Sequence, residues 1–188
     1  MGSMAEHKTV WEGKYLRVKV SGHWEYAERP NSPAGIVIVA VTPERKLLLI
    51  EQFRIPVQKN VIELPAGLAG DEHYSGEEMV AAAKRELLEE TGYEAAEWEE
   101  LAGGPPSAGF SNEIMFFYGG KNLRKVGAGG GHGSERITVH EIPLGEVPGW
   151  LKKKEKEGVS IDPKVYAGLY FLGRGIEGAT YATSEMKS

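Results

Sequence analysis

The first third of the chain alternates apolar and polar residues, and this alternation predicts β-strands. Residues 10–29 alternate with a break at residues 21–23, which is typical of a turn between two short strands. Residues 34–42 and 46–53 form longer apolar stretches on either side of a turn that begins at Pro43, so they predict a pair of buried strands. Residues 60–64 predict one more short strand. We therefore expect a β-hairpin extension followed by a buried sheet.

A helical spacing of apolar residues replaces this alternation between Glu77 and Thr91. Ser75 and Glu78 have the spacing of a capping box at the start of the helix, and Gly92 stands where a left-handed residue would end it. The remaining pattern predicts strands at 97–102, 114–119 and 136–142, and helices at 144–157 and from Asp162-Pro163 onward. Strands, a helix, more strands and further helices predict an α/β arrangement of the α+β type, in which helices pack on a mixed sheet.

Composition excludes several classes of protein. The chain has no cysteine, which excludes disulfides, Cys-bound zinc and thiol nucleophiles. Its net charge of −5 disfavours a nucleic-acid-binding face. No apolar run is long enough to span a membrane, and no secretory signal follows Met4, so we expect a cytoplasmic protein. Residues 1–3 are interpreted as vector-derived, and residues 173–188 show no pattern and are predicted to be a mobile tail.

Three carboxylates carry the most informative pattern. On a helix, Glu86, Glu89 and Glu90 lie three and four positions apart and share one face. They repel one another unless a cation neutralises them, and Mg²⁺ suits oxygen ligands that also face a phosphate. Arg85 is placed to fix the rotamer of a neighbouring carboxylate. The alternative, taken from the run alone, is a solvated acidic helix face.

The wider pattern from Glu77 to Tyr93 resembles the Nudix box. It comprises Glu77, seven residues, Arg85-Glu86-Leu87, one residue, Glu89-Glu90, one residue, Gly92 and an apolar residue. The resemblance implies a Nudix fold over residues 34–172, with Glu86, Glu89, Glu90 and the carbonyl of Ala66 as metal ligands. It departs from the family in one respect, because nine residues instead of five separate Gly67 from Glu77, which lengthens the loop.

Residues outside the box look like the ADP-ribose and ADP-sugar pyrophosphatases. The similarity rests on residues 22–29, 50–54 and 63–67, and extends from about residue 11 to residue 172. It implies a homodimer in which the N-terminal extension, residues 4–33, contributes to dimerisation and to base binding. The residues implied in substrate binding are Tyr15 and Trp24 around the adenine, Glu25 on its amino group, and Arg29 and Arg54 on the phosphates and ribose. For the two aromatic residues, ordinary packing is the alternative.

Two loops bear on specificity and mechanism. Residues 105–113 resemble the family's loop before a glutamate, which implies substrate contacts for Ser107, Gly109 and Glu113. Ala108 stands where ADP-ribose pyrophosphatases have a proline, and this weakens the ADP-ribose assignment. The glycine-rich residues 127–133 lack the Lys-Ser/Thr of a P-loop. Relatives have a mobile loop here that delivers a glutamate, which implies Glu135 as general base, with a box glutamate such as Glu89 or a plain surface role as alternatives.

The sequence thus predicts a Mg²⁺-dependent hydrolase, with Mn²⁺ able to substitute, that cleaves the diphosphate of a nucleotide sugar. ADP-ribose or an ADP-sugar is favoured, and the products would be AMP and a sugar phosphate. Alternatives are a broader nucleoside diphosphate sugar or GDP-mannose hydrolase, and a hydrolase of caps or dinucleoside polyphosphates. A Nudix module that senses a nucleotide without cleaving it is a further alternative, disfavoured by the intact box glutamates.

Overall fold

The computed structural model describes residues 6–30, 34–70, 78–133 and 135–173. The proposed cap Ser75, the box residue Glu77, residues 1–3 and the tail after Gly173 lie outside the described residues. Within them, no helix is both long enough and apolar enough to cross a membrane.

The N-terminal extension is a three-stranded antiparallel sheet, with β1 at His7–Glu12, β2 at Arg17–Ser21 and β3 at Trp24–Glu28. The extension therefore has three strands where the sequence predicted a hairpin of two. The additional strand is β1, which begins at His7, before the predicted alternation starts at residue 10. Every residue of β1 is exposed, so its apolar positions are not buried against this chain's own core. The extension meets the rest of the chain through Ala27, whose N–H donates to the carbonyl of Phe110 at 2.8 Å.

Two mixed four-stranded sheets form the centre of the molecule. Their strands are β4 (Ala34–Ala40), β5 (Lys46–Arg54), β6 (Lys59–Glu63), β7 (Ala66–Ala69), β8 (Tyr93–Gly104), β9 (Met115–Lys125), β10 (Thr138–Pro143) and β11 (Ser160–Ile161). One sheet has the order β7-β4-β9-β8, and the other has the order β10-β5-β6-β11. The pairs β4–β9 and β6–β11 are parallel, and the others are antiparallel. The sequence-based interpretation of residues 67–76 as a loop was wrong for its first residues, since β7 extends to Ala69.

Helices cover both faces of these sheets. Ile36 and Ile38 of β4 pack with α1 (Met79–Thr91), whereas Val37 and Val39 pack with α2 (Val147–Lys156) and α3 (Pro163–Gly173). Because both faces are covered, all seven residues of β4 are buried, and the strand reads as a continuous apolar run. The predicted mixed sheet between helices is confirmed.

The ends of α1 determine where its carboxylates lie. Glu78 is the N-cap and makes no side-chain capping bond, and the predicted cap Ser75 lies outside the described residues. Gly92 is the C-cap at φ 75°, as predicted, and its N–H donates to the carbonyl of Leu88. At α3, the Oδ1 of Asp162 accepts the N–H of Lys164 at 2.8 Å, which confirms the predicted start of that helix.

Candidate active site

A cleft of about 890 Å³ opens between the N-terminal extension, the second sheet and the end of α1. Its lining includes Glu86 and Glu90 of α1, Ala66 and Gly67 of β7, and Glu135. The fold therefore brings together residues that are up to 69 positions apart in sequence, from Ala66 to Glu135. This is the acidic side of the cleft.

Strand β7 holds the two cleft-facing carboxylates of α1. The N–H of Ala66 donates to Oε2 of Glu90 at 2.9 Å. Glu86 lies directly against Gly67, where an added Cβ would come within 1.9 Å of Oε1 of Glu86. No side chain larger than hydrogen fits there without displacing that carboxylate. The box glycine is therefore needed for close approach of helix and strand, since its φ is not in the left-handed region.

Burial and mutual repulsion shift both carboxylates away from ordinary acidity. Burial raises the pKa of Glu90 to about 9; the Ala66 N–H opposes this rise, and the charges of Glu86, Glu135 and Glu63 add to it. Burial also raises the pKa of Glu86 to about 7, against the opposing effect of Arg85. Each group is thus poorly compensated as an anion, a condition that a bound cation would relieve.

Arg85 is bound to the acidic cluster on one side and to β7 on the other. Its Nη1 lies 2.8 Å from Oε1 of Glu86 and 3.4 Å from Oε2 of Glu89, and its Nη2 donates to the carbonyl of Leu68 at 3.2 Å. Neither Arg85 nor Glu89 lines the cleft itself. This geometry fits the predicted role of Arg85 in fixing carboxylate rotamers.

The glycine-rich segment is fastened to the end of α1. The N–H of Gly130 donates to the carbonyl of Glu90, and the N–H of Gly131 donates to the carbonyl of Glu89, at 2.9 and 3.0 Å. These bonds satisfy carbonyls that a helix end leaves without an intrahelical partner. Glu135 follows, and its Oε2 accepts the backbone N–H of His132 at 2.9 Å. A segment predicted as a closing loop is therefore seen docked on the box helix, with Glu135 in the cleft.

The donor set fits a hard divalent cation, although the side chains are not arranged as a ready-made site. Among the described residues, no three acidic or histidine side chains are placed to hold one metal ion together. Arg85 is instead the positive partner of Glu86 and Glu89. All the candidate ligands are oxygens, and burial raises the pKa of Glu86 and of Glu90, so a bound cation would stabilise the ionised form of these two carboxylates.

Another part of the cleft lining carries arginines. Arg29 donates through Nε to Oε1 of Glu113 at 2.9 Å, and both line the cleft. Ser107 also lines it, and its carbonyl accepts the N–H of Phe110 in the turn that shapes this wall. Arg54 lines the cleft while bound to Glu63 through two hydrogen bonds.

Four of the predicted substrate residues lie outside the cleft lining of this chain. Tyr15 and Trp24 are 63% and 51% exposed, and Glu25 and Gly109 are also exposed. The two aromatics are therefore not part of the core of their own chain, although Lys14 lies over the Tyr15 ring and His23 packs edge-on against Trp24 within the extension. The resemblance implies that these exposed aromatics contact a second subunit. Their contact with the base stays a prediction.

The cleft also contains charged residues that the sequence did not single out. Glu63, Asp162 and Lys164 line its floor, because β11 runs parallel to β6 and ends beside it. Glu63 belongs to the quoted motif at residues 63–67, which was the available signal. Nothing local in the sequence indicated Asp162 and Lys164 beyond the start of a helix.

Comparison with known proteins agrees with this site. The NUDIX domain model matches residues 31–162. The chain is 32% identical over 166 residues to the methanol dehydrogenase activator of Bacillus methanolicus, covering 82% of this chain and 88% of the relative. It is 36% identical over 124 residues to the ADP-ribose pyrophosphatase of Bacillus subtilis, covering 60% and 65%.

Two further matches bear on fold and specificity. The GDP-mannose pyrophosphatase of Citrobacter koseri is 32% identical over 130 residues, covering 64% of this chain and 65% of that relative. A crystal structure of an ADP compounds hydrolase superposes with a TM-score of 0.71 and 18% identity, covering 92% of each chain, and so shares the fold. With Glu86 and Glu90 of the box lining the cleft and the domain model spanning most of the chain, this protein belongs to the Nudix family and is a Nudix hydrolase.

Proposed function

We propose that the protein hydrolyses the diphosphate of a nucleoside diphosphate sugar with Mg²⁺, and that ADP-ribose or an ADP-sugar is its substrate. The observation that carries the proposal is one cleft whose lining combines Glu86, Glu90 and Glu135 with Arg29 and Arg54. A diphosphate bridged by a cation suits such a lining, since the cation meets the carboxylates and the arginines meet phosphate oxygens.

The metal ligands in this proposal are Glu86, Glu89, Glu90 and the carbonyl of Ala66. When bound, Mg²⁺ or Mn²⁺ would neutralise the diphosphate and acidify a water molecule. The chain supplies the arrangement: β7 fixes Glu90 through Ala66, and Arg85 pairs with the other two carboxylates and fixes their rotamers.

Glu135 is the proposed general base. Its Oε2 is held by the N–H of His132, so the carboxylate is oriented while it stays exposed to the cleft. The oxygen of the attacking water bonds to one phosphorus while its proton passes to this carboxylate, and the bond from that phosphorus to the bridging oxygen breaks, so the other phosphate leaves with that oxygen. Glu89 is the second candidate for this role. AMP and ribose 5-phosphate would be the products from ADP-ribose.

Recognition of the base would need a homodimer. Tyr15, Trp24 and Glu25 lie outside the cleft of their own chain, so we place them against the adenine in the cleft of the partner subunit. Ser107, Gly109 and Glu113 would meet the terminal sugar. A cytoplasmic location suits these intracellular substrates.

GDP-mannose hydrolysis is the second candidate. Ala108 replaces the proline found in ADP-ribose pyrophosphatases, and relatives named GDP-mannose pyrophosphatase match up to 70% of the chain. A relative named as a dehydrogenase activator also matches most of the chain, so an effect on a dehydrogenase is worth assaying beside hydrolysis.

A panel of ADP-ribose, ADP-glucose and GDP-mannose with Mg²⁺ separates the candidates. Release of AMP from an ADP compound, at a higher kcat/KM than release of GMP from GDP-mannose, supports the proposal. Preference for GDP-mannose transfers the assignment to the second candidate. Binding of these nucleotides without cleavage in Mg²⁺ or Mn²⁺ would leave only a sensing module.

A further inference from the structure

The ion pair between Glu63 and Arg54 is the most constrained charged contact in the cleft. Nε of Arg54 lies 2.6 Å from Oε1 of Glu63, and Nη2 lies 2.5 Å from Oε2. Both oxygens of the carboxylate are thus engaged by one guanidinium fork, a geometry that fixes orientation as well as distance. The Glu63 side chain is 5% exposed, whereas that of Arg54 is 45% exposed.

This pair does not follow from the strand register alone. Arg54 is opposite Lys59, and Glu63 is opposite Ile50, so three register pairs separate the two ion-pair residues along the hairpin, and the middle one, Gln52–Val61, lies on the same face. The Arg54 side chain therefore reaches back along the hairpin toward the cleft instead of extending from the strand end into solvent. Glu63 is the group that holds it there. The bidentate contact leaves Nη1 of Arg54 outside the pair.

Glu63 is also close in sequence to the residues that contact the acidic cluster. Three residues after it, Ala66 binds Glu90, and Gly67 seats Glu86. The hydrogen bonds that Arg54 donates to Glu63 raise the pKa of Arg54 above its ordinary value, and the charges of Glu63, Glu90 and Asp162 add to that effect. Arg54 is thus kept charged and held at a fixed place relative to the carboxylates.

We propose that Glu63 is a positioning residue, which holds the guanidinium of Arg54 toward the diphosphate without itself binding metal or substrate. This inference rests on the proposed function, because it concerns how the same cleft recognises an anionic diphosphate. The rival role for Glu63 is that of one more acid at the metal site. Its burial and the use of both its oxygens by Arg54 argue against that role.

A double-mutant cycle with ADP-ribose as substrate tests the proposal. We expect Glu63→Gln to raise KM about ten- to a hundredfold, because without the bidentate ion pair the guanidinium of Arg54 is no longer oriented toward the diphosphate. Arg54→Ala should raise KM by at least as much. In the Arg54→Ala background, Glu63→Gln should add no further increase, since a residue that acts only through another loses its effect when that one is gone. The half-saturating Mg²⁺ concentration should stay within twofold of the wild type in all three variants.

The exposed pair of Arg124 and Glu94, on β9 and β8, gives a matched control. Its Nη2–Oε2 distance is 3.0 Å, and its side chains are 76% and 48% exposed. Glu94→Gln should leave KM unchanged. Thermal unfolding of each variant checks the fold. If Glu63→Gln proves unstable, Arg54→Lys replaces it in the test; this variant keeps the charge but loses the bidentate contact, so its KM should lie between those of the wild type and Arg54→Ala.

Additive effects of the two substitutions would overturn the proposal, as would a raised Mg²⁺ requirement in Glu63→Gln alone. If the wild type cleaves no nucleotide sugar, the proposed function fails, and the inference is then tested by calorimetry with inorganic pyrophosphate in EDTA. Weaker pyrophosphate binding by Glu63→Gln and by Arg54→Ala, equal in the double variant, supports it. Equal pyrophosphate binding by all the proteins contradicts it.

Discussion

Replacing Glu90 with glutamine should stabilise the metal-free protein while abolishing its activity. Glu90 is 3% exposed, and burial raises the pKa of its carboxyl to about 9. An unfolded chain has the ordinary value of about 4.5. At a pH between these two values, the Glu90 carboxyl is ionised in the unfolded chain and protonated in the folded protein. The free energy of unfolding therefore decreases as pH rises through this window and increases as pH falls.

The magnitude follows from the width of the window. Each pH unit inside it removes about 1.4 kcal/mol from the free energy of unfolding. From pH 6 to pH 8 the wild type should lose about 3 kcal/mol that Glu90→Gln keeps, or about 6–12 °C in Tm for a chain of this size. Glutamine also retains an acceptor oxygen for the N–H of Ala66.

The assay is thermal unfolding in EDTA at pH 6, 7 and 8. Glu94→Gln serves as the control, because it removes an acidic side chain from an exposed cross-strand pair that does not line the cleft. Mg²⁺ should raise the Tm of the wild type at pH 8 and leave that of Glu90→Gln unchanged, since it binds the ionised carboxylate. Parallel decreases in Tm with pH for wild type and Glu90→Gln would refute the reasoning, as would an equal gain from Mg²⁺.

Three further substitutions test the framework around the cluster. Gly67→Ala should lower kcat about a hundredfold or more, because the added Cβ displaces the Glu86 carboxylate; steady-state kinetics at saturating substrate measures this, and wild-type kcat would contradict it. Glu135→Gln should lower kcat by about 10²–10⁴ with Mg²⁺ affinity retained, and an unchanged kcat would transfer the base role to another glutamate. Gly92→Ala, at φ 75° and with its Cβ 2.3 Å from the carbonyl oxygen of Gly127, should lower stability by about 1–3 kcal/mol in denaturant titration, whereas a neutral result would show that the glycine-rich segment can move aside.

The sequence predicted those elements in which a hydrophobic pattern continues over many residues. The run at 34–42 and the helical spacing up to Thr91 became β4 and α1, because burial on two faces and on one face, respectively, leaves a clear pattern. β7 and β11 were missed, since four and two residues are too few to show a period. The third N-terminal strand was missed because β1 is wholly exposed and has no buried face of its own.

The sequence predicted those residues of the candidate site that belong to a motif with a defined spacing. Glu86 and Glu90 were assigned from helix geometry and the family pattern, and both line the cleft. The reason for the box glycine became clear only from the contact between Gly67 and Glu86, which joins residues on two elements. The docking of the glycine-rich segment on α1 and the pairing of Arg54 with Glu63 are likewise long-range contacts, which no local spacing encodes.

The central claim is that the box carboxylates hold a divalent cation against the diphosphate of a nucleotide sugar. Chromatography of the products from ADP-ribose, with and without Mg²⁺, tests it most directly when the wild type is run beside Glu90→Gln. The account predicts AMP and ribose 5-phosphate from the wild type only when Mg²⁺ or Mn²⁺ is present, and a loss of about 10³-fold or more in the variant. Equal product from both proteins, or product formation that continues in EDTA, would contradict it.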